Sequence, residues 1–339
     1  MITERKGMIP NKRKYMSHEL ELVDGKANMF YKGDVPWHKL GTFIEEDKNL
    51  TSEEAIVAAG LDWKVETKPL FLDDGTQAPS NAVVREDTNA ILGVVGQSYK
   101  PLQNKEAFDF FNPFIESGEA SFETAGSLKD GKRIWALAKI NSAPIQIAKG
   151  DDIEKYVLLS NGHDGTMAVR VGFTPIRVVC QNTLSMSHSK DVSQLIRLKH
   201  TANLQENLEK VREIMNIANQ QFEATAEQYK FLANKTVSQA DLAKYVKLVF
   251  IGDKYEEMEA MGLKPGNQIL AKIIPLFEKG RGNDMASVKG TAWAAYNAVN
   301  EYLQYERGND DETRLDKLWF GDSATLNQRA LNVITKLVA

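Results

Sequence analysis

The residues of this sequence that could do chemistry are basic and amide side chains, the types that contact phosphate groups and nucleobases. Clustered cations bind nucleic acid by releasing its counterions, and amide groups hydrogen-bond to bases. Residues 155–200 carry six Lys or Arg and two acids, although the net charge of the 339-residue chain is −4. This distribution predicts a local polyanion-binding surface on a chain that does not coat nucleic acid indiscriminately. The candidate nucleic-acid-binding residues are Lys132, Arg133, Arg170, Arg177, Gln181, Asn182 and Lys190.

A second interpretation of these charges stays open. Arg170 and Arg177 could be surface charges that pair with nearby carboxylates, as they do on many solvated protein faces. Trp37 and Trp63 are candidates for stacking on bases, but isolated tryptophans more commonly fill a core. The residue types alone therefore do not separate a nucleic-acid groove from an ordinary charged surface.

Catalytic and metal-binding patterns are absent from the sequence. It has no phosphate-cradling glycine loop ending in Lys and Ser or Thr, and its five histidines lack the i, i+4 pairing of a zinc-protease helix. Ser160 and Ser187 lie in no nucleophile-elbow context. His163 and Asp164 fall in a predicted hairpin turn, where we expect them to be solvated. We therefore expect no enzyme activity, no catalytic residue, no metal and no cofactor; a metal-dependent nuclease built from distant carboxylates stays as an alternative.

The elements that must position the basic residues begin with a predicted β-hairpin. Residues 156–160 and 167–173 are rich in β-formers and flank a turn cluster at 161–165. Thr174 and Pro175 follow, with the hydroxyl and the ring that favour a helix N-terminus. This pattern predicts an amphipathic helix from Thr174 whose polar face carries Arg177, Gln181 and Asn182.

The same patterns predict the rest of the fold. The sequence predicts strands at 63–72, 81–85, 91–96, 120–126 and 133–140, and helices after Thr51 and Asn104. From residue 203 it predicts helices at 203–230, 238–250, 267–277, 286–305 and 323–338. The expected fold is therefore α+β: an antiparallel β-rich N-terminal domain with a β-β-β-β-α core, followed by an all-helical C-terminal domain. We expect a flexible arm at 1–27, the α+β core domain at 28–200 and the helical domain at 201–339.

Composition places the chain among ordinary globular proteins, with 42% hydrophobic and 26% charged residues. The single cysteine, Cys180, cannot form an intramolecular disulfide, and we expect it to pack in the core of a protein from a reducing compartment. No window approaches the roughly 18 apolar residues of a membrane helix, and the start shows no apolar leader. We expect a cytoplasmic protein of a bacterial host cell that does not enter membranes.

Three segments resemble a known family, the phage- and plasmid-like proteins grouped under a domain of unknown function, number nine hundred and thirty-two. They are VPWHKLGT at 35–42, ILGVVGQSYKPLQNKEAFDFF at 91–111 and FTPIRVVCQNTL at 173–184. The last is the most specific; in the first, Lys39 stands where glycine is common. The resemblance runs from about Phe30 to the C-terminus. It implies a mobile-element setting and no established activity.

The order of predicted elements is also similar, more distantly, to that of single-strand annealing proteins, whose core is an antiparallel sheet followed by a helix. That resemblance implies a homo-oligomer that holds single-stranded DNA in a basic groove and promotes annealing during recombination. Two alternatives remain: a non-enzymatic protein that binds a host or phage protein, whose binding would survive high salt, and the nuclease mentioned above.

Overall fold

The structure is a computed structural model, and it describes residues 20–23, 26–33, 40–177, 182–183, 196–201, 203–307 and 321–339. Its N-terminal strands and first helix are β1 (Leu22–Val23), β2 (Lys26–Ala27), β3 (Met29–Tyr31), β4 (Thr42–Phe43), α1 (Ser52–Ala58), β5 (Val65–Phe71), β6 (Gln77–Arg85) and β7 (Ile91–Gly96). Then come α2 (Asn104–Asp109), α3 (Asn112–Glu116), β8 (Ala120–Leu128), β9 (Arg133–Ile140), β10 (Ile145–Ala148), β11 (Asp151–Gly162), β12 (Val169–Arg177), β13 (Asn182–Thr183) and β14 (Ile196–Leu198).

The C-terminal part contains helices. They are α4 (Leu204–Ala233), α5 (Gln239–Phe250), α6 (Tyr255–Ala260), α7 (Asn267–Lys279), α8 (Ala292–Glu301) with a π-helical extension (Tyr302–Glu306), and α9 (Asp322–Val338). Ser238 caps α5 through a capping box with Asp241, and Thr291 caps α8 by accepting from the Ala294 N–H. The predicted helices of this part are confirmed, except that α8 begins at Ala292 instead of 286 and α6 was not predicted. No helix in the described ranges combines the length and the apolar character needed to cross a bilayer.

Most described strands form one large sheet, in the order β13-β12-β11-β9-β8-β3-β4, with β10 also on β11 and β14 also on β12. Its pairs are antiparallel apart from β3 with β4. The long strand β11 lies between β9 and β12. The two predicted hairpins, β8-β9 and β11-β12, are thus confirmed, and their strands lie next to each other. The fold is mixed α+β with antiparallel sheets, as expected.

The predicted helix at Thr174 is wrong, because β12 continues through this segment to Arg177. Every residue from Arg170 to Arg177 pairs with β11, and Phe173 and Ile176 enter cores on opposite faces of the sheet, as strand alternation requires. Pro175 lies between the part of β12 that pairs with β14 and the part that pairs with β13. Its missing N–H therefore removes no described ladder bond. The helix that follows the strands is α4.

A smaller sheet, β5-β6-β7, packs beside the β11-β12 turn. A Cβ atom added to Gly93 of β7 would lie 2.6 Å from the backbone of Asp164 in that turn, so only a glycine allows this approach. Two residues at the end of the predicted N-terminal arm also contact strands of the two sheets. Leu20 bridges to Leu128, and the buried Glu21 accepts hydrogen bonds from Arg85 and Ser127.

The large sheet has a hydrophobic core on each face. On one face, residues of α4, α5, α7, α8 and α9 join the sheet in a continuous cluster that runs from Phe30 to Ile334. The other face carries a smaller cluster around Trp135, Leu137 and Leu158, covered in part by Leu20 and Met29. The helices and the sheet therefore share one core, and the second face is the one that carries the basic residues described next.

Candidate nucleic-acid interface

Three of the predicted basic residues meet at one end of the large sheet. Lys132 ends the turn before β9, Arg133 is the first residue of β9, and Arg170 lies near the start of β12. Arg177 and Asn182 pair in register between β12 and β13, but their side chains lie outside the described part. Gln181 and Lys190 lie wholly outside the described residues.

The register of the sheet places a fourth cation beside these three. Arg197 of β14 is directly opposite Arg170 of β12, and Arg170 is opposite Ser160 of β11, which is opposite Trp135 of β9. Residues directly opposite each other share a face of the sheet. Arg133 stands two residues before Trp135 and therefore shares that face. We call Arg133, Arg170 and Arg197 the arginine cluster.

Arg133 and Arg197 lie close enough to Arg170 to affect its guanidinium group. Burial, together with the positive charges of Arg197 and Arg133, lowers the pKa of Arg170, whose side chain is half-buried. Arg197 is exposed and has no ion pair with any residue that the structure describes. Like charges at this separation repel one another.

Asp164 partly compensates the charge of the arginine cluster. Its Oδ2 lies 4.0 Å from Arg133 Nε, and its Oδ1 accepts from the Thr166 N–H and hydroxyl. Arg133 Nη2 also donates to Thr166 Oγ1 at 3.3 Å. Arg133 is thus held in place by the hairpin turn. The pairing with carboxylates that the sequence offered for Arg170 and Arg177 is not tested by this contact.

His163 lies in the β11-β12 turn with its side chain buried, so the expectation that it is solvated is wrong. His163 is fully buried, and its Nε2 lies 2.9 Å from Asn104 Oδ1. Asn104 Nδ2 donates to the carbonyl groups of Leu61 and Trp63, so its Oδ1 is left to accept from His163. Asn104, which the sequence suggests as the N-cap of α2, is instead the first residue of that helix and makes tertiary contacts. Gln103 occupies the N-cap position.

Tyr99 and His200 brace the same end of the hairpin. The Tyr99 hydroxyl donates to the Gly162 carbonyl at 2.9 Å, and its ring stacks on His200 with a centroid separation of 4.6 Å. His200 follows β14, so this stack ties the strand that carries Arg197 to the turn that holds Arg133. Burial lowers the pKa of His200. Both histidines thus serve as neutral structural groups.

Sequence reasoning placed Lys132, Arg133 and Arg170 in one site but did not include Arg197. The charge count over 155–200 contained Arg197, but only the β12-β14 pairing brings it opposite Arg170. No group of three or more His, Cys, Asp or Glu in the described ranges is arranged to hold a metal ion.

A protein-family model, described as Domain of unknown function (DUF932), matches residues 91–331. The match begins later than the resemblance that starts near Phe30; it includes the arginine cluster and the strands β8 to β14. No curated protein and no solved structure matches the chain. Since the model matches more than half of the 339 residues, the chain belongs to the family of this domain of unknown function, DUF932.

Proposed function

We propose that this protein binds single-stranded DNA through the arginine cluster and, as a homo-oligomer, promotes annealing of complementary strands in a phage or plasmid setting within the bacterial cytoplasm. The observation that carries the proposal is the arrangement of Arg133, Arg170 and Arg197 on one face of the sheet. In this proposal the protein holds the strand and catalyses no bond cleavage.

The dimensions of the sheet support binding of an extended polyanion. Three strand spacings separate β9 from β14, which makes the arginine cluster about 15 Å wide. That width lets a single strand place more than one phosphate on the cluster. Arginine is suited to this contact because its planar guanidinium group can donate two parallel hydrogen bonds to a phosphate.

The choice of a single strand rests on the order of elements. Strands β8, β9, β11 and β12 come before the long helix α4 in the chain, with β13 and β14 between β12 and α4. This sheet-then-helix order is similar to that of annealing proteins, although the helix is α4 and not the one predicted at Thr174. This is an analogy at the level of fold.

The test uses two substitutions in the cluster and one outside it. We expect Arg197→Gln and Arg170→Gln to weaken binding of a fluorescent single-stranded oligonucleotide. Each should reduce the slope of log affinity against log salt by about 0.7, the value for one phosphate contact on a single strand. Arg329→Gln, which removes an exposed arginine of α9, should change neither quantity. Light scattering during the titration reports whether a discrete large assembly forms.

Absence of binding by the unsubstituted protein at low salt would overturn the proposal. Equal binding by Arg197→Gln, Arg170→Gln and unsubstituted protein would reject the arginine cluster as the site. Cleavage of the oligonucleotide that stops on chelation would instead support the nuclease alternative.

A protein partner is the second candidate. Ile91 and Val94 of β7 are 62% and 58% exposed, and exposed apolar residues on a strand at the edge of a sheet can contact another chain. Binding of a host or phage protein that persists at high salt and survives Arg197→Gln would favour this candidate.

A further inference from the structure

A groove separate from the arginine cluster lies between the large sheet and α4. The groove is partly open to solvent and has a volume of about 460 Å³, within the range of sites that bind small molecules. Ile153, Phe173 and Phe222 contribute buried apolar side chains to its wall, and Asn141 and Ser142 contribute exposed polar ones.

Lys155 of β11 lines this groove and is only 7% exposed. Its Nζ lies 4.1 Å from the centre of the Phe173 ring and 5.2 Å from that of Phe222. It forms no ion pair with a residue in the described part of the chain. Lysines are almost never buried this deeply without an anionic partner, because the ammonium group loses its hydration.

The direction of the pKa shift of Lys155 agrees with the burial of its side chain. Burial lowers the pKa of Lys155 to about 8, although the negative charge of Glu223 on α4 opposes the shift. The aromatic faces of Phe173 and Phe222 supply a weak attraction for the cation. At neutral pH the groove therefore contains a charged ammonium group for which the described residues provide no ion pair.

Strand alternation separates this groove from the arginine cluster. Lys155 and Ser160 lie at odd and even positions of β11, so their side chains point to opposite faces of the large sheet. Ser160 is in register with Arg170, whereas Lys155 faces α4. A ligand in the groove and a nucleic acid on the arginine cluster would therefore bind independently.

The residues that line the groove indicate the class of ligand that it can bind. One buried cation requires one anionic group, and the apolar wall requires an apolar body. Glu119 and Glu223, both exposed, line the groove as well, and their negative charges disfavour polyanions such as DNA or a nucleoside polyphosphate. We propose that the groove binds a small monocarboxylate with an aromatic or aliphatic body, whose carboxylate pairs with the Lys155 ammonium.

The test measures binding of 2-naphthoate and of its uncharged analogue 2-naphthylmethanol by isothermal titration calorimetry. We expect Lys155→Met to weaken naphthoate binding at least tenfold and to leave the naphthylmethanol affinity within about twofold, because methionine retains the apolar stem. Lys264→Met, which removes an exposed lysine of the loop before α7, is the matched control and should bind both compounds normally.

Glu223→Gln is a second variant, and its expected effect is a gain in naphthoate affinity that loss of folding could not produce. This substitution removes a negative charge that competes with the ligand, so naphthoate should bind two- to threefold more tightly, and a misfolded protein would not show such a gain. The pH dependence provides a further readout. Naphthoate affinity of the unsubstituted protein should fall as pH rises above about 8, where Lys155 loses its proton. Glu119 and Glu223 are the acidic groups that face Lys155 across the groove.

Absence of naphthoate binding to the unsubstituted protein would overturn the proposal, as would equal affinity in Lys155→Met. Tighter binding of naphthylmethanol than of naphthoate would also overturn it, since that result would mean that the ammonium group does not attract the ligand. None of these outcomes bears on oligonucleotide binding by the arginine cluster.

Discussion

His163 shows how a single residue can support a site without contacting a ligand. It is fully buried beneath the hairpin turn that positions Arg133, and it contacts Asn104 through Nε2. Its Nδ1 has no hydrogen-bond partner among the described residues, so protonation there would place an unpaired charge in the interior. Burial accordingly lowers the pKa of His163 to about 3.

This shift predicts a loss of stability in mild acid. The unfolded chain binds a proton at His163 near the usual pKa of 6.5, whereas the folded chain does not bind it until about pH 3. Protonation therefore favours unfolding as pH falls below 6.5, and stability above that value is unaffected by this group. We expect the free energy of unfolding to drop by about 2 kcal/mol between pH 7 and pH 5 from His163 alone.

Urea unfolding at the two pH values checks this expectation. His163→Gln should lower stability at pH 7 but reduce the difference between pH 7 and pH 5, because the titrating group is gone. His200, whose pKa is also lowered by burial, remains in the variant and accounts for residual pH dependence. An unchanged difference in His163→Gln would contradict the assignment.

At the scale of elements, the hairpins and C-terminal helices could be predicted because their signals are local. Alternating residues, turn clusters and capping boxes specify β8-β9, β11-β12 and α5 within short stretches of chain. The segment after Phe173 could not be predicted in this way. Thr174 and Pro175 satisfy the rules for a helix start, but pairing with β11, a tertiary interaction, keeps them in a strand.

The same distinction between local signals and tertiary pairing applies to the residues of the candidate site. Lys132 and Arg133 lie beside one predicted hairpin turn and Arg170 follows the other, and the pairing of β9 with β11 brings the two hairpins together. Arg197 joins them only through the β12-β14 pairing. The burial of Lys155 has a sequence signal, because Lys155 lies between Ile153 and Val157 at every second position and therefore on the apolar face of the strand.

The close approach of β7 to the hairpin turn predicts a large difference between two similar substitutions. Gly93→Ala would place a Cβ atom 2.6 Å from the Asp164 backbone, so β7 and the turn would have to separate. We expect this substitution to destabilise the protein by about 1–3 kcal/mol. Gly96→Ala on the same strand meets nothing within 4 Å and should be tolerated.

Thermal unfolding of the two variants distinguishes them directly. Because Asp164 also lies beside Arg133, Gly93→Ala should additionally weaken oligonucleotide binding if the arginine cluster is the site. Equal melting temperatures for the two variants would show that the turn adjusts to the added methyl group without cost.

At the scale of the whole molecule, the sheet and the C-terminal helices are joined by more than apolar contact. The buried Trp293 of α8 donates its indole N–H to the buried Asp151 carboxylate of β11 at 2.7 Å. Ser287 also donates to the Lys149 carbonyl at 2.8 Å. A buried carboxylate that loses a donor retains its full desolvation cost, so this bond links the stability of the two parts.

We therefore expect Trp293→Phe to lower the free energy of unfolding by roughly 1–3 kcal/mol and to destabilise the helices and the sheet together. Circular dichroism of the helices and the protection of β11 amides in hydrogen exchange should report the same loss. Asp152→Asn, one residue along the same strand, is the control. A loss confined to the helical signal would contradict a shared core.

The Trp293–Asp151 bond also bears on how such proteins can diversify. A chimera formed between β14 and α4 would join the sheet of one family member to the helices of another. Such a chimera would keep its core only if the incoming α8 supplied a donor at the position of Trp293 and the retained β11 supplied an acceptor at the position of Asp151. Exchange of either segment alone is therefore limited by a bond whose two side chains lie 142 residues apart in the chain.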